Sequence, residues 1–300
     1  MDHGFSEGSM APAVPQQPLA ARSKFGADLR RRREAAGWTA EEVGSRIGCS
    51  TSKITRVETG KRSATPADFE ALMDLFEVSE PDREHLEALF RRGRTRTAMW
   101  WDTYADVLSS RYTEFISYEH EAFSATEYQI AYIPALLQTE AYARAVTEVG
   151  FAALGPDQVD SLVEVKNMRQ RRLRDEVPLR LTAVISQAAL EFEVGGPAVQ
   201  AAQLRHLQDV CRLETVDLRV VPFDRGAEGA LTGAFTLFQG GGQDAPDTAF
   251  AEAVTGTIVV DDALGLRRLA RLHSYLLRAA LGPQDSLALI EQTERRLTAS

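Results

Sequence analysis

The chain has 300 residues, 44% of them apolar and 26% charged, which suits about two globular domains at roughly 150 residues each. No apolar run approaches the roughly 18 residues that a membrane span needs. The net charge of −9 at first argues against nucleic acid, but its distribution reverses that: residues 22–62 carry +6 and the remainder −15. A basic head on an acidic body offers one surface to phosphate and another that repels it.

The first stretch, MDHGFSEGSMAPAVPQQPLAARS, lacks the basic start and apolar centre of a signal peptide. It is rich in Pro, Ala, Gln, Ser and Gly, so residues 1–22 are expected to form a disordered tail. A helix is predicted from Lys24 to Ala36, with Phe25 and Leu29 inward and Gly37 ending it. Thr39 caps a second helix, and Glu42 completes a capping box.

Residues 40–59, AEEVGSRIGCSTSKITRVET, have the pattern of a helix-turn-helix. Val43 and Ile47 share a helical face, and Gly44 between them allows a second helix to cross closely. Gly48 falls where a tight turn needs positive φ. Cys49 takes an inward turn position, Ser50 caps the next helix, and Ile54 and Val57 point inward. Such a pair lays one helix across a DNA backbone and the next in the major groove. Thr65-Pro66 opens a fourth helix, and a fifth is predicted from about Pro81 to Arg92. Residues 23–92 thus read as a compact all-α domain of five helices.

The segment FGADLRRRREAAGWTAEEVGSRIGCSTSKITRVETGKR, residues 25–62, resembles the Xre type of helix-turn-helix repressors. The resemblance implies base contacts from Thr51, Ser52, Lys53, Thr55 and Arg56, of which Arg56 can read guanine bidentately. It implies phosphate contacts from Arg46, Lys61 and Arg62, and a structural ion pair between Arg33 and Glu58. The family often has Gln at the first position of helix two; this chain has Ala40.

Residues 93–99 are basic and polar and read as a linker, with Trp100-Trp101 anchoring the next domain. In residues 112–134 the mixture of aromatic and polar residues suggests two strands joined near Phe123-Ser124. Helices are expected at about 138–149 and 156–176, where the basic run KNMRQRRLR forms a solvated polar face. The stretch 179–190, which starts as a strand, a helix from Pro197 to about Arg212 and strands at 215–223, 234–239, TAFAEAV and TIVVDD follow. Helices at about 262–281 and 284–297 close the chain. Without a regular βαβ repeat, residues 100–300 read as α+β with a mixed sheet, a regulatory and dimerisation domain.

The segments WWDTYADVLSSRYTEF, YIPALLQTEAYARAV, RQRRL, VVPFDRGA and GAFTLFQ, with the closing helices, resemble a group of actinomycete regulators described as antitoxin-like. In that group an Xre-type head is fused to a C-terminal domain of poorly defined function. The resemblance implies transcription regulation gated by a small partner protein encoded nearby.

Five histidines show no metal-ligand spacing, and there is neither a phosphate loop nor a G-x-S-x-G elbow. On an extended strand His120 would face away from Glu119 and Glu121, so no acid–base cluster is expected there. The expectation is a cytoplasmic, homodimeric regulator of double-stranded DNA with no catalytic residue, metal or cofactor. The alternative is a small-molecule sensor with a pocket among Tyr118, Phe123, Tyr128, Tyr132, Phe223 and Phe235.

Overall fold

The structure, a computed structural model, describes residues 18–60, 62–94, 98–149, 154–228, 233–240, 248–253 and 256–299. Its N-terminal part is all-helical: α1 (Pro18–Ala35), α2 (Ala40–Arg46), α3 (Thr51–Glu58), α4 (Pro66–Leu75) and α5 (Asp82–Arg94). Their inner faces meet in one core built on Phe25, Leu29, Val43, Ile54, Phe69, Met73 and Leu86. Phe69 and Phe90 stack with ring centroids 4.6 Å apart.

Two boundaries differ from the sequence expectation. Helix α1 begins at Pro18 rather than Lys24, because Ala21 is fully buried and Arg22 packs on α5. Gly93 is part of α5, not of a linker: a Cβ there would lie 2.7 Å from Arg22 Cγ, so only glycine lets the two helices approach. Residues 1–17 of the expected tail and 95–97 of the expected linker lie outside the described residues.

The second part is α+β around a six-stranded mixed sheet. A 3₁₀ turn (Trp100–Tyr104) leads to α6 (Ser110–Glu121), then β1 (Ser124–Gln129), α7 (Glu140–Glu148), α8 (Pro156–Gln170), a 3₁₀ turn (Arg171–Leu173) and β2 (Arg180–Ser186). The one-turn α9 (Ala188–Glu191), α10 (Pro197–Val210), β3 (Val216–Val221), β4 (Phe235–Gln239), β5 (Thr248–Ala253), β6 (Gly256–Val260), α11 (Ala263–Ala279) and α12 (Pro283–Ala299) follow. The strand order is β3-β2-β1-β4-β5-β6; β1, β2 and β3 run parallel, and β4 to β6 join antiparallel.

Strand alternation divides the core between the two faces of the sheet. One face carries Ala125, Leu181, Ala183, Ile185, Leu218, Val220 and Phe238, covered by Tyr142 of α7, Leu204 and Leu207 of α10 and Ile290 of α12. The other carries Tyr128, Val184, Val221, Phe235 and Leu237, covered by Leu266, Leu276 and Ala279 of α11.

Residues 110–121 are a helix, not the first of two strands. Ser109 Oγ caps it by accepting from Tyr112 N at 3.2 Å, and Phe115, Ile116 and Glu119 then follow at helical spacing. The aromatic and β-branched composition that suggests a strand is here the inner stripe of a helix. His120 therefore does not alternate with its neighbours. It stands edge-on to Trp101, with ring centroids 5.4 Å apart, while Glu119 is buried.

The run KNMRQRRLR also departs from expectation. Arg169 and Arg172 fall four and seven residues after the fully buried Val165, on its stripe, and both are buried. The six aromatics considered as a pocket lie apart. Tyr118 belongs to the core on one sheet face and Tyr128 and Phe235 to that on the other, and Phe123, Tyr132 and Phe223 are exposed.

Candidate nucleic-acid interface

Helices α2 and α3 are set at a close crossing by two glycines. A Cβ on Gly44 would come within 2.8 Å of the Cys49 carbonyl oxygen, and Gly48 has φ of +69°. Thr39 Oγ1 accepts from Glu42 N at 3.2 Å and Glu42 Oε2 accepts from Thr39 N at 2.7 Å, which closes the capping box of α2. Ser50 Oγ accepts from Lys53 N at 3.3 Å and caps α3. Ala40, where the Xre type often has Gln, packs partly buried against the helical core.

Helix α3 is held from behind. Ile54 and Val57 are each 3% exposed, and Glu58 accepts two hydrogen bonds from Arg33 of α1, at 2.7 and 3.0 Å. That pairing raises the Arg33 pKa further above its ordinary range. Arg33 also donates to the Trp38 carbonyl at 2.9 Å, so one guanidinium joins α1, α3 and the turn before α2. The rest of the arginine run is similarly engaged: Arg30 with Glu34, Arg31 with Asp28, and Arg32 with Asp28 and Asp82.

The outward row of α3 is Thr51, Ser52, Thr55 and Arg56, all exposed. Thr55 donates its hydroxyl to the Thr51 carbonyl at 3.0 Å, leaving its oxygen lone pairs and methyl group outward. Lys53 does not join this row. Its Nζ lies 2.6 Å from Asp68 Oδ1 on α4, which ties it to the protein in the absence of DNA. Burial pushes the Asp68 carboxyl up, but Lys53 and the Thr65 cap outweigh it and hold the group below its ordinary range. Asp68 is a residue that sequence reasoning missed; its signal is the T-P-A-D capping box that fixes it at the start of α4.

The flanking cations stand beside this row. Arg46 at the end of α2 lies over the Trp38 ring, 4.3 Å from its centroid, which pre-orients the guanidinium. Arg62 is exposed, and its backbone N donates to the Arg56 carbonyl at 2.9 Å, placing it next to the end of α3. Lys61 lies outside the described residues. Among the described residues no group of three or more His, Cys, Asp or Glu side chains is placed to hold a metal ion.

This geometry defines a helix-turn-helix protein of the DNA-binding class, and a helix-turn-helix domain model matches residues 24–86. The chain belongs to the DUF5753 family, whose model, described as a domain of unknown function, matches residues 112–292. Comparison with curated proteins and with solved structures returns no match. Among the described residues no helix is long and apolar enough to cross a membrane.

Proposed function

We propose that the protein is a cytoplasmic, sequence-specific transcription regulator, and not an enzyme, of the Xre type and antitoxin-like group. Helix α3 reads the major groove with Thr51, Ser52, Thr55 and Arg56, while Arg46, Lys61 and Arg62 hold phosphates. The observation that supports this reading best is the split character of α3: one side is locked by Ile54, Val57 and the Arg33–Glu58 pair, and the other is presented to solvent without core duties. A single head covers one half-site, so the working form is a homodimer on a palindrome with half-sites about 34 Å apart. The second domain gates binding by engaging a small partner protein encoded nearby, as the resemblance implies.

A footprint of the full chain on its own upstream region, at physiological salt, tests this. A protected palindrome that changes when the adjacent gene's product is added is the expected result. Protection indifferent to that product removes the partner from the mechanism, and no protection at all removes the regulator. The alternative, small-molecule sensing, requires a cavity other than the one sought among the six aromatics.

A further inference from the structure

Between α6, α8 and the turn at Trp100 lies a cavity of about 180 Å³. A water molecule in the liquid occupies roughly 30 Å³, so the space exceeds what one or two structural waters fill. Trp100, Met168 and His120 supply apolar and aromatic walls, and Arg169, Arg171 and Arg172 supply cations.

The charges are not balanced. Glu119 is taken by Arg169, through two bonds of 2.7 Å. Asp175 accepts from Arg172 at 3.0 Å, and the same guanidinium also donates to the backbone carbonyls of Ala122 and Val177, each at 2.9 Å. Three arginines and two carboxylates therefore line the cavity, and Arg171 has no carboxylate partner among the described residues. Burial and the nearby Arg172 hold His120 below its ordinary range, so it does not add to this charge near pH 7. The other two arginines, 5% and 9% exposed, are fixed by their partners and form a rigid rear wall.

We infer that this cavity binds a small organic anion, whose carboxylate or phosphate pairs with Arg171 and whose flat apolar body lies between Trp100 and Met168. Anion binding by a guanidinium at the rim of a partly apolar cavity combines a charge-assisted bond with burial of the ligand body. The location suits an effector. Helix α6 lines the cavity with Ile116, Glu119 and His120, and through Tyr118 it faces Ser23 of α1. Trp100 follows the end of α5 by six residues. The inference deepens the regulator reading by giving it a ligand class, and rests on that reading for its purpose.

The test is calorimetric titration of the full chain with benzoate, and with benzamide as its uncharged counterpart of the same shape. Saturable binding of one benzoate per chain, with benzamide about tenfold weaker or worse, is expected. Arg171→Gln alters an exposed side chain and should remove the preference for benzoate. Met168→Trp should fill the space and abolish binding of both, with a thermal melt confirming the fold. Absence of saturable benzoate binding, equal binding of the two probes, or an unchanged preference in Arg171→Gln would each overturn the assignment. The footprint without probe is read separately, so a failed cavity and a failed regulator are told apart.

Discussion

Arg169 and Glu119 meet side-on, with Nε to Oε1 and Nη2 to Oε2 both at 2.7 Å, and their side chains are 5% and 3% exposed. The third arm, Nη1, donates to the Tyr112 hydroxyl at 2.7 Å, and the guanidinium carbon lies 5.0 Å from the centre of the Phe115 ring. The pair ties α8 to α6 inside a largely apolar layer. Two opposed charges held this way offset one another's desolvation only while both are present. Glu119→Ala should therefore lower the unfolding free energy by about 3–5 kcal/mol. A double variant, Glu119→Leu with Arg169→Met, should recover most of that loss. Urea unfolding at pH 7 measures both; a single variant within about 1 kcal/mol of the parent would show that the pair is not what joins these helices.

Arg56 and Lys53 should separate specificity from stability. Arg56 is exposed and makes no ion pair among the described residues, whereas Lys53 is 2.6 Å from Asp68. Arg56→Ala is expected to lose about 1–3 kcal/mol of discrimination between operator and unrelated DNA. Lys53→Ala should leave that ratio nearly intact and cost about 1 kcal/mol or less of folding stability, the range for a pair that is only partly buried. Competition binding with specific and random duplexes checks the first, and denaturant melts the second. A collapse of discrimination in Lys53→Ala would return Lys53 to the base-reading row.

Gly26 sets the distance between α1 and α3. A Cβ there would meet the carbonyl oxygens of Val57 and Glu58, which are backbone atoms unable to swing aside. Gly26→Ala gains helix propensity of roughly 1 kcal/mol in principle but forces α3 outward. The net expectation is a destabilisation of about 1–3 kcal/mol, the usual cost of overpacking, together with weaker binding to all DNA. A Gly26→Ala variant as stable as the parent, with unchanged DNA affinity, would show that the crossing of α1 and α3 is slack.

The helical head was legible because local signals there agree with the tertiary structure. Thr39 with Glu42, Ser50, and Thr65 with Pro66 each cap a helix, and Val43, Ile54 and Phe69 fall on inward faces. The strands β2 to β6 were legible from alternation and β-branching, as in Val216, Leu218 and Val220. Reading failed where a polar residue does a core residue's work. Arg169 and Arg172 continue the stripe of Val165, but their type suggests solvent, and only the partner Glu119, 50 positions away from Arg169, makes burial possible. Helix α6 was hidden by its aromatics, whose composition outweighed their spacing. The ion pair of Lys53 was hidden because its partner comes from another helix, so nothing local to α3 reveals it. The cavity draws on Trp100, α6 and α8 together, and no single segment carries its outline.

Glu127 gives the protein a distinctive pH dependence. It is buried on β1, where Gln129 Nε2 donates to its Oε1 at 3.0 Å and to Glu252 Oε1 at 3.1 Å. Burial pushes its carboxyl up to about 7, against a weaker opposing effect of the Gln129 bond. An unfolded chain releases this proton near its ordinary value of 4.5, so between there and about 7 the folded form binds more protons than the unfolded one. Stability from this group is then complete below that window and falls as pH rises through it, by roughly 1.4 kcal/mol for each unit of displacement. Glu127→Gln removes the titration, so it should match the parent near the acid end and exceed it by a few kcal/mol at pH 8. His273 titrates in the opposite sense, since burial pushes it down to about 4 and its neutral form is lost only in acid. The readout is therefore the difference between parent and variant in urea unfolding across the pH range, which cancels His273. A difference that does not grow with pH would mean that Glu127 is ionised in the folded protein, stabilised by donors other than Gln129.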